Sequence, residues 1–229
     1  MSTTVFAAAD FLDLKQTDHA ALFHHVRQAW EVLPKLADYL EDNLVPANFG
    51  EMIGRPVIGE EVYIGRDTII EPGAYIKGPA WIGPNCHIRH GAYLRENVIV
   101  GANCVIGNSC EIKNSILFNH CQVPHFNYVG DSIIGANAHL AAGVIVSNLK
   151  LNGDLITLRV GDELIPTGLR KFGALIGDGV EIGCNAVLNP GSILGRNSLI
   201  YPGVVWRGIL PNNSIAKAVD CVRERRLQS

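Results

Sequence analysis

From Ile58 an aliphatic or aromatic residue recurs at every sixth position, through Ile64, Ile70, Ile76, Ile82, Ile88, Leu94, Val100, Ile106 and Ile112 to Phe118. The same phase returns at Ile134, Leu140 and Val146, and again from Ile176 through Ile182, Leu188, Leu194 and Ile200 to Trp206. Three positions after these residues the sequence tends to place Gly, Asn or Asp, as at Asp67, Gly73, Asn85, Gly91, Asn97, Asn103, Gly179 and Asn197. Those types tolerate the positive φ that a chain turning a corner every few residues requires. Pro72-Gly73, Pro84-Asn85, Pro190-Gly191 and Pro202-Gly203 add the type II turn signal. Neither a helix at period 3.6 nor an alternating sheet has this pattern. It predicts an all-β solenoid of short strands, each pointing one aliphatic side chain inward and its neighbours outward. Small residues four after the core position, among them Ala74, Ala80, Cys86, Ala92, Cys104 and Cys110, fill the narrow interior.

The flanks read differently. Residues 18–43 carry Leu22, Val26, Ala29, Trp30, Leu33, Leu36, Ala37 and Leu40 on one helical stripe, with Asp18 as N-cap and Pro34 kinking or dividing the helix. Ser214 to Leu227 reads as a short terminal helix. The organisation is therefore an N-terminal helical segment over 1–50, the solenoid over 51–210 and a C-terminal helix or tail over 211–229. Both flanks are expected to cap solenoid ends that would otherwise expose unpaired backbone.

Irregularity in a strict repeat is where function concentrates, because a regular solenoid folds without it. The stretch Cys121-Gln-Val-Pro-His-Phe-Asn-Tyr-Val-Gly-Asp131 falls where the phase shifts between Phe118 and Ile134, and Leu149 to Gly173 forms a long polar excursion. The net charge of -3, without a basic stripe or polybasic run, points away from nucleic acid and membrane surfaces. The first residues lack a basic n-region and hold only a short apolar stretch, so a cytoplasmic protein is expected. The six cysteines lack CxxC spacing and read as reduced, packed thiols.

The run Glu111-Ile-Lys-Asn-Ser, then Val123-Pro-His-Phe-Asn-Tyr-Val-Gly-Asp131, Ala142-Gly-Val-Ile-Val-Ser-Asn148 and Lys171-Phe-Gly-Ala-Leu-Ile-Gly-Asp178 resembles a known family. It is similar to the hexapeptide-repeat acetyltransferase domain of the bifunctional glucosamine-1-phosphate acetyltransferases/N-acetylglucosamine-1-phosphate uridyltransferases, most of all their archaeal and Thermus-like branch. The resemblance covers about residues 54–210. It implies a left-handed parallel β-helix, a homotrimer with sites between neighbouring subunits, acetyl-CoA as co-substrate, an amino-sugar 1-phosphate as acceptor and no metal. No Gly-rich phosphate loop opens the chain, so uridylyl transfer is not expected.

An amine must lose its proton before it attacks a thioester, and His125, matching the family's catalytic histidine, is the general base that the resemblance implies. Arg89, Lys113 and Lys171 match phosphate-binding positions, and Tyr128 and Asn148 match sugar contacts. His139 stands at a sugar-binding position where the family usually has Asn, and Leu149 replaces the tyrosine after Asn148. On the acetyl-CoA side Ala142 matches, while Cys184 and Pro202 replace a Ser and an Ala. Asp154 and Thr157 stand where the archaeal loop has lysines. Two other readings stay open: a zinc hydratase of the γ-carbonic anhydrase type, with His120 and His125 at the spacing of two ligands, and a non-catalytic hexapeptide scaffold.

Overall fold

The computed structural model describes residues 5–217. Strands of two to four residues alternate with tight corners, so the chain climbs as a left-handed, three-sided coil with parallel strands stacked on each face. Face A holds nine strands from Ala47–Asn48 to Ile209–Leu210, face B nine from Glu51–Met52 to Ile215–Ala216, and face C eight from Val57–Ile58 to Val205–Trp206. The solenoid therefore extends beyond 51–210 at both ends. The helix expected from Ser214 is a strand where it is described, because Ala216 continues the inward row beneath Ile200. The remainder of that expected helix, 218–229, lies outside the described residues.

Three inward rows of aliphatic side chains fill the coil. On face A the row runs Ile64, Ile82, Val100, Leu117, Ile134, Ile176, Leu194 and Leu210. Leu117, and not Phe118, thus follows Ile112. The step is five residues, and a second five-residue step separates Val129 from Ile134. Both short steps fall on the corner between faces C and A. There Asn114 (φ 45°) and Asp131 (φ 49°) turn the chain, while Ser115 and Ser132 hydroxyls donate back to the carbonyls of Lys113 (2.7 Å) and Gly130 (2.8 Å). Val123 and Val129 keep the regular spacing, so the phase shift lies on these corners, and the stretch Cys121–Asp131 takes part in it only at its last residue, Asp131. Phe118 turns outward, edge-on to Phe23 at 5.6 Å between ring centroids.

The cysteines have a packing role. Cys86, Cys104 and Cys121 stack at the A–B corner, and their thiols donate to the carbonyls of Gly101 (3.0 Å), Phe118 (3.1 Å) and Gly135 (3.0 Å) in the next coil. Burial pushes the Cys104 and Cys110 thiols up from their ordinary titration range. Of the described cysteines, all free, only Cys184 is exposed.

The outward row of face A is also apolar: Tyr63, Trp81, Ile99, Ile116, Ile133, Leu175, Ile193 and Ile209 lie in register. The N-terminal segment covers it instead of capping an end. Trp30 is 1% exposed and packs on Phe6 (5.6 Å) and on Phe172 of the excursion (5.7 Å). The single helix expected over 18–43 is broken into 3-10 turns at Ala20–Phe23 and Ala29–Lys35 and an α-helix at Leu36–Asn43. His25 (φ 63°) breaks it first, and Pro34 divides the later half. A straight rod could not follow the flank of the coil and also bury Phe6, Phe11, Phe23 and Val32 there. Asp178 fastens the segment by accepting from the backbone of Asp13 (2.6 Å) and Ala136 (2.8 Å). No helix among the described residues is long and apolar enough to cross a membrane.

His19 marks this lid with a pH signature. Its ring is buried against Trp81 (4.9 Å), bonds Tyr39 Oη at 3.1 Å, and its Nε2 has no partner. Burial holds its pKa below the ordinary histidine value of 6.5, against the opposing pull of the Asp18 carboxylate. Below 6.5 the unfolded chain takes up a proton that the folded lid resists, so His19's contribution is present above that pH and is lost as the pH falls. The urea midpoint of the wild type should drop more between pH 7.5 and 5.5 than that of His19→Gln; equal drops would contradict the assignment.

Candidate active site

Face C is the centre of the candidate site, and its two edges carry different chemistry. His125 ends the face B strand Gln122–His125 and is exposed at the B–C corner. Its backbone is held on both sides. The N–H donates to Asn127 Oδ1 (3.0 Å) and the carbonyl accepts from Gly143 (2.9 Å). Asn127 itself is 2% exposed; its Nδ2 donates to Ala141 O (2.7 Å), and its Oδ1 also accepts from the Cys110 thiol (3.3 Å).

The coil register puts Ala142, Cys184 and Pro202, the positions expected from the resemblance to meet acetyl-CoA, in file with His125. Asn108 pairs with His125, and the strand pairs Gln122 with His139, His139 with Glu181, and Glu181 with Leu199 carry the same column to Ala142, Cys184 and Pro202. Main-chain bonds follow it: Asn185 N–H donates to Ala142 O (2.9 Å) and Gly203 N–H to Cys184 O (2.8 Å).

At the opposite, C–A edge, Asp131 is 4% exposed and collects three donors. They are Lys113 Nζ at 3.3 Å, Asn114 Nδ2 at 2.9 Å and Asn148 Nδ2. The Tyr128 hydroxyl lies 3.3 Å from Asn148 Nδ2. Burial, reinforced by the carboxylates of Asp131 and Glu111, raises the Tyr128 pKa, so the phenol stays a neutral hydrogen-bonding group. The excursion leaves the coil directly after Asn148 and returns at Lys171, its neck closed by an antiparallel bridge between Leu149 and Lys171. Lys171 is exposed there, and the strand Tyr128–Gly130 separates the two edges by about 10 Å.

Tyr128, Lys113, Asn148 and Lys171 are thus brought together, whereas Arg89 is not among them. It lies half-buried at the B–C edge, two coils before His125 and beside Glu71, whose pKa is held low chiefly by the His90 backbone N–H. His139 points outward from face B, 3.0 Å from Glu181 Oε2. His120 and His125 occupy opposite ends of one short stretch, and among the described residues no three His, Cys, Asp or Glu side chains are grouped to hold a metal.

The GMPPB C-terminal domain family matches residues 76–168, and the bacterial transferase hexapeptide family (six repeats) matches 173–205. A bifunctional sugar-1-phosphate nucleotidylyltransferase/acetyltransferase from Sulfurisphaera tokodaii is 33% identical over 84% of this chain, which spans 48% of that protein. The bifunctional protein GlmU of Methanococcus vannielii is 36% identical over 74% of the chain, which spans 38% of its length. The putative uncharacterized acetyltransferase YaiX of Escherichia coli is 31% identical over 82% of this chain and 83% of its own. The chain belongs to the hexapeptide-repeat acyltransferases. A solved putative acetyltransferase from Bacillus cereus is 18% identical, with a TM-score of 0.32, covering 75% of this chain and 80% of that one.

Two neighbours of the site in this acyltransferase, Arg95 and Asn127, do not stand out in the six-residue pattern. Arg95, eighteen residues before Lys113, sits one coil below it in the same column, bonded to Glu111 (2.9 Å). Spacing by one whole coil is the signal that picks out Arg95 instead of Arg89. Asn127 interrupts an inward corner column otherwise built of Ala74, Ala92, Cys110, Val144, Ala186 and Val204, and a buried amide among small apolar residues is a signal of the same kind.

Removing Asp131 leaves the largely buried Lys113 ammonium without its counter-charge. Asp131→Ala should lower unfolding stability by about 3–5 kcal/mol, the usual effect of breaking a buried pair. Asp131→Asn should do less harm, and equal denaturation midpoints for wild type and Asp131→Ala would refute the pairing.

Proposed function

We propose that this acyltransferase carries the acetyl group of acetyl-CoA to the amine of an amino-sugar 1-phosphate, glucosamine 1-phosphate foremost, as a cytoplasmic homotrimer. The observation that carries this reading is the single file of His125, Ala142, Cys184 and Pro202 along one edge of face C. A sugar-phosphate set of Tyr128, Asn148, Lys113 and Lys171 lines the other edge. The Sulfurisphaera tokodaii relative, whose name joins sugar-1-phosphate nucleotidylyltransferase and acetyltransferase, supports the substrate class.

In the proposed reaction His125 accepts a proton from the sugar ammonium. The freed amine nitrogen attacks the thioester carbonyl and gives up one further proton to solvent, the carbon–sulfur bond breaks, and His125 passes its proton to the departing thiolate, so that one proton is released overall. The products are an N-acetylated sugar phosphate and free CoA. Tyr128 and Asn148 orient the sugar through the hydroxyl and amide they already hold 3.3 Å apart. Lys171 adds a cation for the phosphate beside Lys113 and Arg95, whose charges are shared with Asp131 and Glu111.

Trimer formation is supported by the distribution of apolar surface. Face A is covered from within the chain, whereas Val57, Tyr75, Ile145 and Val205 remain exposed in one outward row of face C. His139, on face B, reaches an acceptor only across such a subunit boundary. The same arrangement would bring Arg89 toward a neighbouring site.

The reading is tested by supplying acetyl-CoA with a panel of amino-sugar 1-phosphates and following free thiol. His125→Ala should lower turnover by roughly 10²–10⁴-fold with little change in melting temperature, because the side chain is exposed. His120→Ala should behave as wild type. Higher pH should partly rescue His125→Ala, since more of the amine is then already neutral. Turnover in His125→Ala equal to wild type at neutral pH would overturn the mechanism.

A further inference from the structure

The excursion between Asn148 and Lys171 does not pack on the coil alone. Its hairpin, Thr157–Val160 with Glu163–Pro166, buries Leu158 and Ile165 in one apolar cluster with Phe6 and Trp30 of the N-terminal segment. Two elements far apart in sequence therefore share a core, and neither buries its apolar side chains without the other.

Phe172 is where that core meets the candidate site. Its ring is fully buried, with the Trp30 ring at 5.7 Å. Its main chain is tied on both sides: the Phe172 N–H donates to Asn148 O (3.0 Å), and the Gly191 N–H donates to Phe172 O (3.0 Å). The next N–H, of Gly173, donates to Asp131 O (2.9 Å), and the residue before is Lys171, bridged to Leu149. Lys171, Asn148 and Asp131 thus all depend on the placement of the short stretch 171–173. That stretch has no slack. A Cβ on Gly173 would collide with Gly130 O and Ser132 Oγ, and one on Gly191 with the Ile156 side chain. Groups packed this closely pass a displacement on to their neighbours.

The two halves of the candidate site differ in this respect. Lys171 is exposed and stands at the neck of a long excursion, so its ammonium is placed only as well as its main chain is. Ala142 and Cys184 are held within the coil, by the N–H groups of Asn185 and Gly203. We propose that the N-terminal segment is a positioning element for the acceptor, with Trp30 acting through the Phe172 ring to hold the neck so that Lys171 and Asn148 face the sugar phosphate. The identity of the ligand that gains rests on the acetyl-transfer reading above; the coupling of Trp30 to 171–173 does not.

The test compares Trp30→Ala, Trp30→Phe, Phe172→Leu and Lys171→Ala in acetylation of glucosamine 1-phosphate and in amide hydrogen exchange. In Trp30→Ala and Phe172→Leu the KM for the acceptor should rise by roughly tenfold or more, the scale of a small misplacement, while kcat and the KM for acetyl-CoA stay within about threefold. Trp30→Phe keeps a ring against Phe172 and should return the acceptor KM to near wild type. Adding Trp30→Ala to Lys171→Ala should cost far less than the product of the two single effects, because both act through one cation. An acceptor KM equal to wild type in Trp30→Ala with unchanged circular dichroism would overturn the proposal, and so would equal losses for both substrates, which mark a merely structural role. Should Trp30→Ala not fold, Phe172→Leu decides by the same criteria. Exchange at the Phe172 and Gly173 amides should speed up in Trp30→Ala while that at Asn185 and Gly203 does not. That result in a protein that acetylates no amino-sugar phosphate leaves the coupling standing and removes the acetyl-transfer reading. Acetylation with unchanged exchange and unchanged acceptor KM does the reverse.

Discussion

Everything in this molecule hangs on the main-chain hydrogen bonds between one coil and the next. Each strand donates to and accepts from the strands above and below it at the same corner, as in the bonds from Gly65 to Ile82, Gly83 to Val100 and Gly101 to Leu117. Because these bonds fix the register, a residue at one position of a coil has a defined neighbour in the next, whatever the distance in sequence. The inward aliphatic rows then stabilise that register, since a shift by one residue would turn the core side chains outward. Each buried Leu, Ile or Val contributes on the order of 1.5–3 kcal/mol. The rows are long enough for this small term to accumulate along the whole axis.

Function follows from where the stacking is disturbed without being broken. At the C–A corner two steps lose a residue, serine hydroxyls close those corners, and Asp131 accepts there from Lys113, Asn114 and Asn148. At the B–C corner one buried amide, Asn127, replaces a small apolar side chain and braces the backbone of His125. The excursion after Asn148 is accommodated because Gly173 resumes the ladder by donating to Asp131 O at 2.9 Å. Face A contributes no chemistry, since the N-terminal segment and the hairpin bury its outward row.

Much of this was legible in the sequence. A period of six needs only one inward residue per strand and one permissive residue per corner, and both are visible as residue types. The excursion and the His125–Tyr128 stretch stand out because they lie against that background. What escaped were features set by stacking between coils. Phe118 matches the period, yet Leu117 takes the inward place because Ser115 shortens the corner. Arg89 fits a motif, yet the register puts Arg95 beside Lys113. The helix expected over 18–43 fits its stripe, yet the segment bends to cover an outward row of face A whose apolar character only the register reveals.

The central claim is that the acyl donor lies along the column above His125, and Cys184 offers a direct readout of it. This thiol is exposed in that column, while the other described cysteines are buried. Labelling with iodoacetamide, followed by mass spectrometry of the peptide containing Cys184, should slow at least tenfold when acetyl-CoA is present at saturation. Cys86, Cys104, Cys110 and Cys121 should remain unlabelled in both conditions. An unchanged labelling rate for Cys184 in saturating acetyl-CoA would contradict the account.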